Sequence, residues 1–442
     1  EGFKDVELNK VELNKTDLKG SPLRGLIGAT LGFFIGFAAV SLYGPAAKNI
    51  KDLMGLSGFA LGLLVSIPSL TGSLLRIFVG FWADKVGGKI PFLTLFSIAL
   101  IGMIGIVYIL FNFYPNNITK ELYGYILLFG ALSGFAIAVY PAGITQVSYW
   151  YPKNVQGTVL AINAGVGNLA PGIFSILLPL AIGNFGLPVA YALWMTLFII
   201  GVILYYFLSV DPYYYQLIKR GFSRDEAIKI SQDKGIDMFP SDNPVESFKR
   251  ALRNYKVWLL VLFYFASFGG FIALTAWLPS FFAIYYDLPI GQAGVMSALG
   301  FSILASLARV FYGYFTDKVG GELSNILSFI LILVGSIFLV LSTKIGLSFL
   351  GVIIMALGMG FANASVLKLV AKYVPESVSG AGGMVAGLGA FGGFVFPPLM
   401  GIFVDIIGKE GYRYGFTIFA IFSILALIIS FYLYKKFHLK EK

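Results

Sequence analysis

The sequence has no cysteine, a single histidine near its end (His438), and charged residues at only 12% of its 442 positions. Without cysteine there is no disulfide, no thiolate metal site and no thiol nucleophile. With one histidine in the tail, a histidine metal site, base or proton relay within an apolar core is excluded. No metal, no cofactor and no enzymatic activity are expected, since no Ser/His/Asp cluster appears either. Soluble domains are roughly a quarter charged, so the scarcity of charge argues against an ordinary soluble fold. What fills the chain instead is hydrophobic: 58% of residues, with 53 Gly and 42 Phe.

Apolar runs recur from residue 25 onward, and a helix that spans a bilayer needs about 20 such residues. We place spans at 25–44, 58–82, 90–112, 123–149, 157–181, 188–210, 256–279, 291–315, 323–342, 346–371, 378–404 and 413–434. The connections are short except for 211–255, which is charged and contains Pro240-Ser241-Asp242-Asn243-Pro244. The expected architecture is an all-α membrane protein with two six-helix halves, 25–210 and 256–434, joined by a cytosolic linker. Residues 1–24, polar with a Val-Glu-Leu-Asn-Lys repeat at 6–10 and 11–15, lack the apolar core of a signal peptide and read as a cytosolic tail. Residues 435–442 read as a second one.

Basic residues set the orientation. With both termini inside, 23 Lys and Arg fall on the inner side, nine of them between Lys219 and Lys256, and six fall outside. The net charge of +10 is thus a topology signal and predicts no nucleic-acid partner. The expected location is the cell (inner, cytoplasmic) membrane, with the bilayer as the surrounding partner.

The halves repeat each other. The second span ends Arg76-Ile-Phe-Val-Gly-Phe-Trp-Ala-Asp-Lys-Val-Gly-Gly88, and the eighth ends Arg309-Val-Phe-Tyr-Gly-Tyr-Phe-Thr-Asp-Lys-Val-Gly-Gly321, identical at eight of thirteen positions. Both copies leave the membrane on the same side, which relates the halves by an axis along the membrane normal. The Gly-x-x-x-Asp-Lys-Val-Gly-Gly part resembles the loop after the second and eighth helices of the major facilitator superfamily. Asp84, Lys85, Asp317 and Lys318 are read as gating residues, with solvated loop charge as the alternative.

Three basic residues remain within spans: Arg76, Arg309 and Lys368. No acidic residue is expected deep in any span, so the buried charge reads as all positive. Intramembrane charge usually marks a substrate or ion path, although single long side chains also snorkel. Arg76 lies eight residues from Asp84, about 12 Å along a helix, and Arg309 repeats that depth. Two such guanidiniums facing a shared cavity predict a small anionic substrate, because the planar fork suits oxyanions. Lys368 reads either as snorkelling or as a proton carrier.

The fifth span holds Gly165-Val-Gly-Asn-Leu-Ala-Pro171 and the eleventh Gly387-Leu-Gly-Ala-Phe-Gly-Gly393. These stretches, with Ser148-Tyr-Trp-Tyr-Pro-Lys-Asn-Val-Gln-Gly157 and Tyr264-Phe-Ala-Ser-Phe-Gly269, resemble the nitrate/nitrite porters of that superfamily. The resemblance implies that Arg76 and Arg309 grip the anion. Asn168 and Tyr264 would donate hydrogen bonds, Phe268 would pack on the anion's flat face, and Gly165, Gly167, Gly387 and Gly389 would line the path. Asn163 is a further candidate. Ala170-Pro171 departs from the Gly-Gly of that pattern, which alters packing there. The implied function is nitrate and/or nitrite transport by alternating access, as nitrate/nitrite exchange by a monomer. Alternatives are nitrate–proton symport, transport of another small anion (oxalate, formate, a small carboxylate), or a non-transporting membrane sensor.

Overall fold

The computed structural model describes residues 18–375 and 378–438. The repeat at 6–15 and the last four residues lie outside them. Every regular element among the described residues is helical. Twelve helices are long and apolar enough to cross a membrane. They are α1 (Pro22–Met54), α2 (Gly58–Val86), α3 (Lys89–Phe113), α4 (Lys120–Ser148), α5 (Lys153–Phe185), α6 (Leu187–Leu208), α7 (Tyr255–Tyr285), α8 (Ile290–Val319), α9 (Gly321–Leu341), α10 (Ile345–Tyr373), α11 (Gly380–Ile407) and α12 (Gly411–His438). With every helix crossing, both ends and the α6–α7 connection share one face, called here the terminal face.

The twelve expected spans are all present, in order. Two boundaries shift with consequence. α1 passes an irregular segment at Gly44-Pro45 and runs on to Met54, where Gly55 in the left-handed region (φ 64°) stops it. α9 starts at Gly321, two residues early, and so draws Glu322 into its buried first turn. The duplicated loop is duplicated in conformation too. Gly87 and Gly320 have φ of 90° and 91°, a region only glycine enters freely, and each ends its helix; the next begins from Gly88 in the first copy and from Gly320 itself in the second.

The helices are interrupted where the site lies. α5 breaks at Leu169, just before Ala170-Pro171. α7 and α8 contain π-helical turns at Phe265–Gly269 and Ala298–Ser302, irregularities frequent at functional sites.

Glycines determine how closely the halves approach. Far from the terminal face, Gly44 abuts Ala276, Gly58 and Gly62 abut Gly401 and Pro397, and Gly294 abuts Ser175, so tightly that a Cβ would overlap backbone. At mid-depth, a Cβ on Gly165 would lie 2.9 Å from Val310, and one on Gly387 2.9 Å from Ile77. Nearer the terminal face Gly157, Gly313, Gly382 and Gly383 have nothing within 4 Å. The halves are sealed on the opposite face and part toward the terminal face.

The 211–255 segment folds into three short helices, Tyr213–Lys219, Arg224–Asp233 and Pro244–Leu252. Its first part docks on the first half. The Asp211 carboxylate accepts from the Gly88 and Lys89 N–H groups at 3.0 and 3.1 Å, Tyr215 donates to the Asp84 carbonyl at 2.8 Å, and Asp237 accepts from the Lys153 N–H at 2.9 Å. The Pro244–Leu252 helix instead meets α11, where Ser247 accepts from the Gly380 N–H at 3.2 Å, and touches α2 through Phe248 and Phe81. A cleft of about 340 Å³ on this face is lined by residues including Phe81, Asp84, Lys85, Tyr214, Arg224 and Asp242.

Candidate anion site

Arg76 is 1% exposed. Its Nη2 donates to the Ile137 carbonyl at 3.3 Å, and its Nε has no partner among the described residues. Three rings surround the guanidinium: Tyr140 at 5.2 Å, Phe268 at 5.7 Å and Phe37 at 5.8 Å, measured from Cζ to the ring centre. Arg309 comes from the other half. Its Nη2 donates to the Tyr264 hydroxyl at 3.2 Å, and its Cζ lies 5.6 Å from the centre of Phe268. One aromatic ring therefore lies within cation–π reach of both arginines. Phe268 in turn stacks on Tyr264 (4.8 Å, 12°) and on Phe37 (6.3 Å, 11°).

Among the described residues no carboxylate pairs with either arginine. A buried guanidinium with an unmatched N–H is costly, and an oxyanion is the group that offsets such a cost most directly.

The glycine stretches pack on these same parts. Gly165 and Gly387 each face the residue after an arginine of the opposite half, Val310 and Ile77. Gly389 faces the Tyr264 ring, where a Cβ would lie 2.6 Å from Cδ1, and Gly167 faces Phe33. Phe33 packs at a tilt against Phe37 and Tyr140, with ring centres 5.1 and 4.8 Å away. Asn168 is buried, and its backbone carbonyl accepts from Ser306, one turn before Arg309, at 3.0 Å. The structure thus brings together Arg76, Arg309, Tyr264, Phe268 and the four glycines. Asn163 is tied within the first half, its Oδ1 accepting from Thr30 at 3.2 Å.

Lys368, read as snorkelling or as a proton carrier, has its Nζ 2.8 Å from Asp317 and donates to the Thr316 carbonyl at 3.1 Å, at the terminal end of α8. One expectation is corrected: the buried charge is not all positive. The Glu322 side chain is wholly buried and meets Lys372 at 2.7 Å, the Tyr373 hydroxyl at 2.8 Å and His438 Nδ1 at 3.6 Å. The span boundary set at 323 left it out. Of the gating candidates, Asp84 accepts from Thr145 and Tyr149 of its own half, both at 3.3 Å. Lys85 is exposed, and Lys318 lies over the Tyr314 ring of its own helix at 4.6 Å. No ion pair joins these loops across the halves among the described residues.

Phe37, Tyr140 and the Ile137 carbonyl join the site without having stood out in the sequence. A signal existed for the first: Phe33-x-x-x-Phe37 opens the first half as Tyr264-x-x-x-Phe268 opens the second.

A sequence profile described as Major Facilitator Superfamily matches residues 29–389 and 289–442. The chain belongs to the major facilitator superfamily. Like other major facilitators it is a multi-pass membrane protein, built for secondary transport by alternating access rather than for catalysis. It is 30% identical to a "probable nitrate/nitrite antiporter" of Thermus thermophilus, over 85% of this chain and 84% of that one. It is 28% identical to a "probable nitrate transporter" of Staphylococcus epidermidis over 92% and 95%, and 27% identical to a "nitrite extrusion protein" of Bacillus subtilis over 92% and 93%. Among solved major facilitators, the xylose transporter XylE from E. coli superposes with a TM-score of 0.69 at 15% identity, covering 95% of this chain and 99% of that one. A bacterial homologue of the human lysosomal transporter Spinster gives 0.68 at 16%, covering 96% and 99%. These two likenesses show the fold.

Proposed function

We propose that this major facilitator carries nitrate and/or nitrite across the cell membrane, with both termini and the linker in the cytosol, and that it works as a monomeric nitrate/nitrite exchanger. The observation that carries the proposal is the pair of arginines, one from each half, that share the Phe268 ring and, among the described residues, have no acidic partner. A flat, delocalised anion fits between two guanidinium forks and an aromatic face better than a tetrahedral or bulky one does. The names carried by relatives across nearly the whole chain support the same substrate. Once bound, the anion bridges the halves and screens two like charges, so that occupancy favours the rocking step. Asn168 and Tyr264 are assigned as further donors to the anion.

The test is counterflow in proteoliposomes loaded with nitrite, with labelled nitrate outside and formate, oxalate and chloride as competitors. Saturable nitrate uptake that nitrite drives and oxalate does not is the expected result. Uptake driven equally by oxalate or formate would reassign the substrate to small carboxylates.

A further inference from the structure

Among the described residues, the seal on the face opposite the termini contains one ionic element that joins the halves. At the start of α2, the Asp405 carboxylate accepts from Gly58 N–H at 2.7 Å through Oδ1 and from Phe59 N–H at 3.0 Å through Oδ2. Asp405 lies near the end of α11, in the other half. Ser57 caps the same helix end from within its own half, accepting from Ala60 N–H at 3.2 Å. The first-turn N–H groups of a helix have no partner inside it and carry the positive end of its dipole. Here two of the three are satisfied by a residue about 350 positions away. The close approach needs glycine on both sides: a Cβ on Gly401 would overlap the Gly58 backbone, and one on Gly58 the Gly401 carbonyl.

The pseudo-equivalent corner of the molecule lacks this device. There α8 begins after Pro289 with no side-chain cap, and Gly183, near the end of α5, and Gly291 have nothing within 4 Å. The bond is thus not a by-product of the duplicated architecture. It is made only while the α2–α11 corner is shut. Rocking the halves apart on this face pulls Asp405 from both donors and leaves the start of α2 to water.

We infer that Asp405 is a conformational latch: a carboxylate of one half that caps the first helix turn of the other and so holds the opposite-face gate closed. Because the bond lies at the surface, it biases the equilibrium rather than locking it, and rocking remains possible at every cycle. The latch is independent of which anion the arginines hold.

The absence of cysteine makes the test direct. Glu121→Cys and Lys409→Cys place a spin-label pair across the halves on the latched face, and Lys153→Cys with Lys318→Cys place one on the terminal face. In detergent or nanodiscs, Asp405→Asn should move the population of the long-distance state on the latched face up by about fivefold or more, from the scale of charged hydrogen bonds at helix ends. The terminal-face pair should shift the opposite way. Ser57→Ala removes a cap of the same helix without touching the other half. It should lower thermal stability yet leave both distance distributions as in the parent protein. Equal distributions in Asp405→Asn and the parent, with both folded, would overturn the latch. So would an identical shift in Ser57→Ala, which would reduce Asp405 to an ordinary helix cap.

Discussion

Arg76 and Arg309 repeat one position of a duplicated sequence but sit in different surroundings. Arg76 is enclosed by three rings and keeps an unmatched Nε, whereas Arg309 is partly exposed and is held by Tyr264. Under the proposed function, Arg76 would be the fixed wall of the site and Arg309 the side that admits the anion. Arg76→Lys should abolish nitrate counterflow while the protein still inserts, because an ammonium cannot donate as a planar fork and is costlier to bury. Arg309→Lys should lower the apparent affinity and leave measurable flux; a near-normal rate in either variant would rule out a forked contact by that arginine. Tyr264→Phe keeps the stack on Phe268 but loses the hydroxyl beside Arg309. A hydrogen bond to a charged group is worth about 1.5 kcal/mol or more, so nitrate affinity should fall roughly tenfold in a direct binding assay. This variant should also leave the melting temperature nearly unchanged, since the ring remains buried.

At the scale of helices, the glycines of α5 and α11 divide by what they face. Gly165 and Gly387 set the distance between halves, while Gly167 and Gly389 make room for the rings Phe33 and Tyr264. Gly389→Ala should therefore displace Tyr264 and raise the half-saturation concentration for nitrate. Gly165→Leu should slow turnover with less effect on binding, because it wedges α5 against Val310. Gly382→Ala, with open space around it, is the control and should change neither; binding and counterflow rates measured side by side check all three. The arginines and glycines were legible in the sequence because a whole loop is duplicated there and because glycine clusters stand out at matching spans. The span pattern was legible because twelve apolar runs of bilayer length suit a lipid surrounding and little else. The partners of Lys368, Glu322 and Asp405 were not. Each pairing joins positions 50 or more residues apart, and for Glu322 a two-residue boundary error decided whether it counted as buried. The gating candidates show their partners only in this conformation, in which Asp84 accepts from Thr145 and Tyr149 and Asp317 pairs with Lys368, each within its own half.

For the whole molecule, the placement of Lys368 bears on coupling. An ammonium bound to Asp317 at a helix end is poorly placed to sense an anion held between the arginines. Nitrate uptake into nitrite-loaded vesicles should proceed without a proton gradient and persist in Lys368→Met at a rate within about threefold of the parent, the range left by losing a surface ion pair. Accumulation of nitrate in anion-free vesicles under an imposed proton gradient would instead establish symport.

The linker grips the first half as far as Asp237, which accepts from the Lys153 N–H, and Asp242 is tied back to that docked part through Arg224 at 2.6 Å, while the helix from Pro244 leans on α11. The covalent tie between the two moving bodies is therefore reduced to the short stretch around Asp242-Asn243. A polypeptide ending at Asp242 and a second one starting at Asn243, produced together, should find each other through the glycine-lined helix contacts and reconstitute nitrate counterflow. Severing the chain within α6 or α7 should not. Continuity of the backbone, in that sense, guides assembly of this transporter more than it drives each turnover.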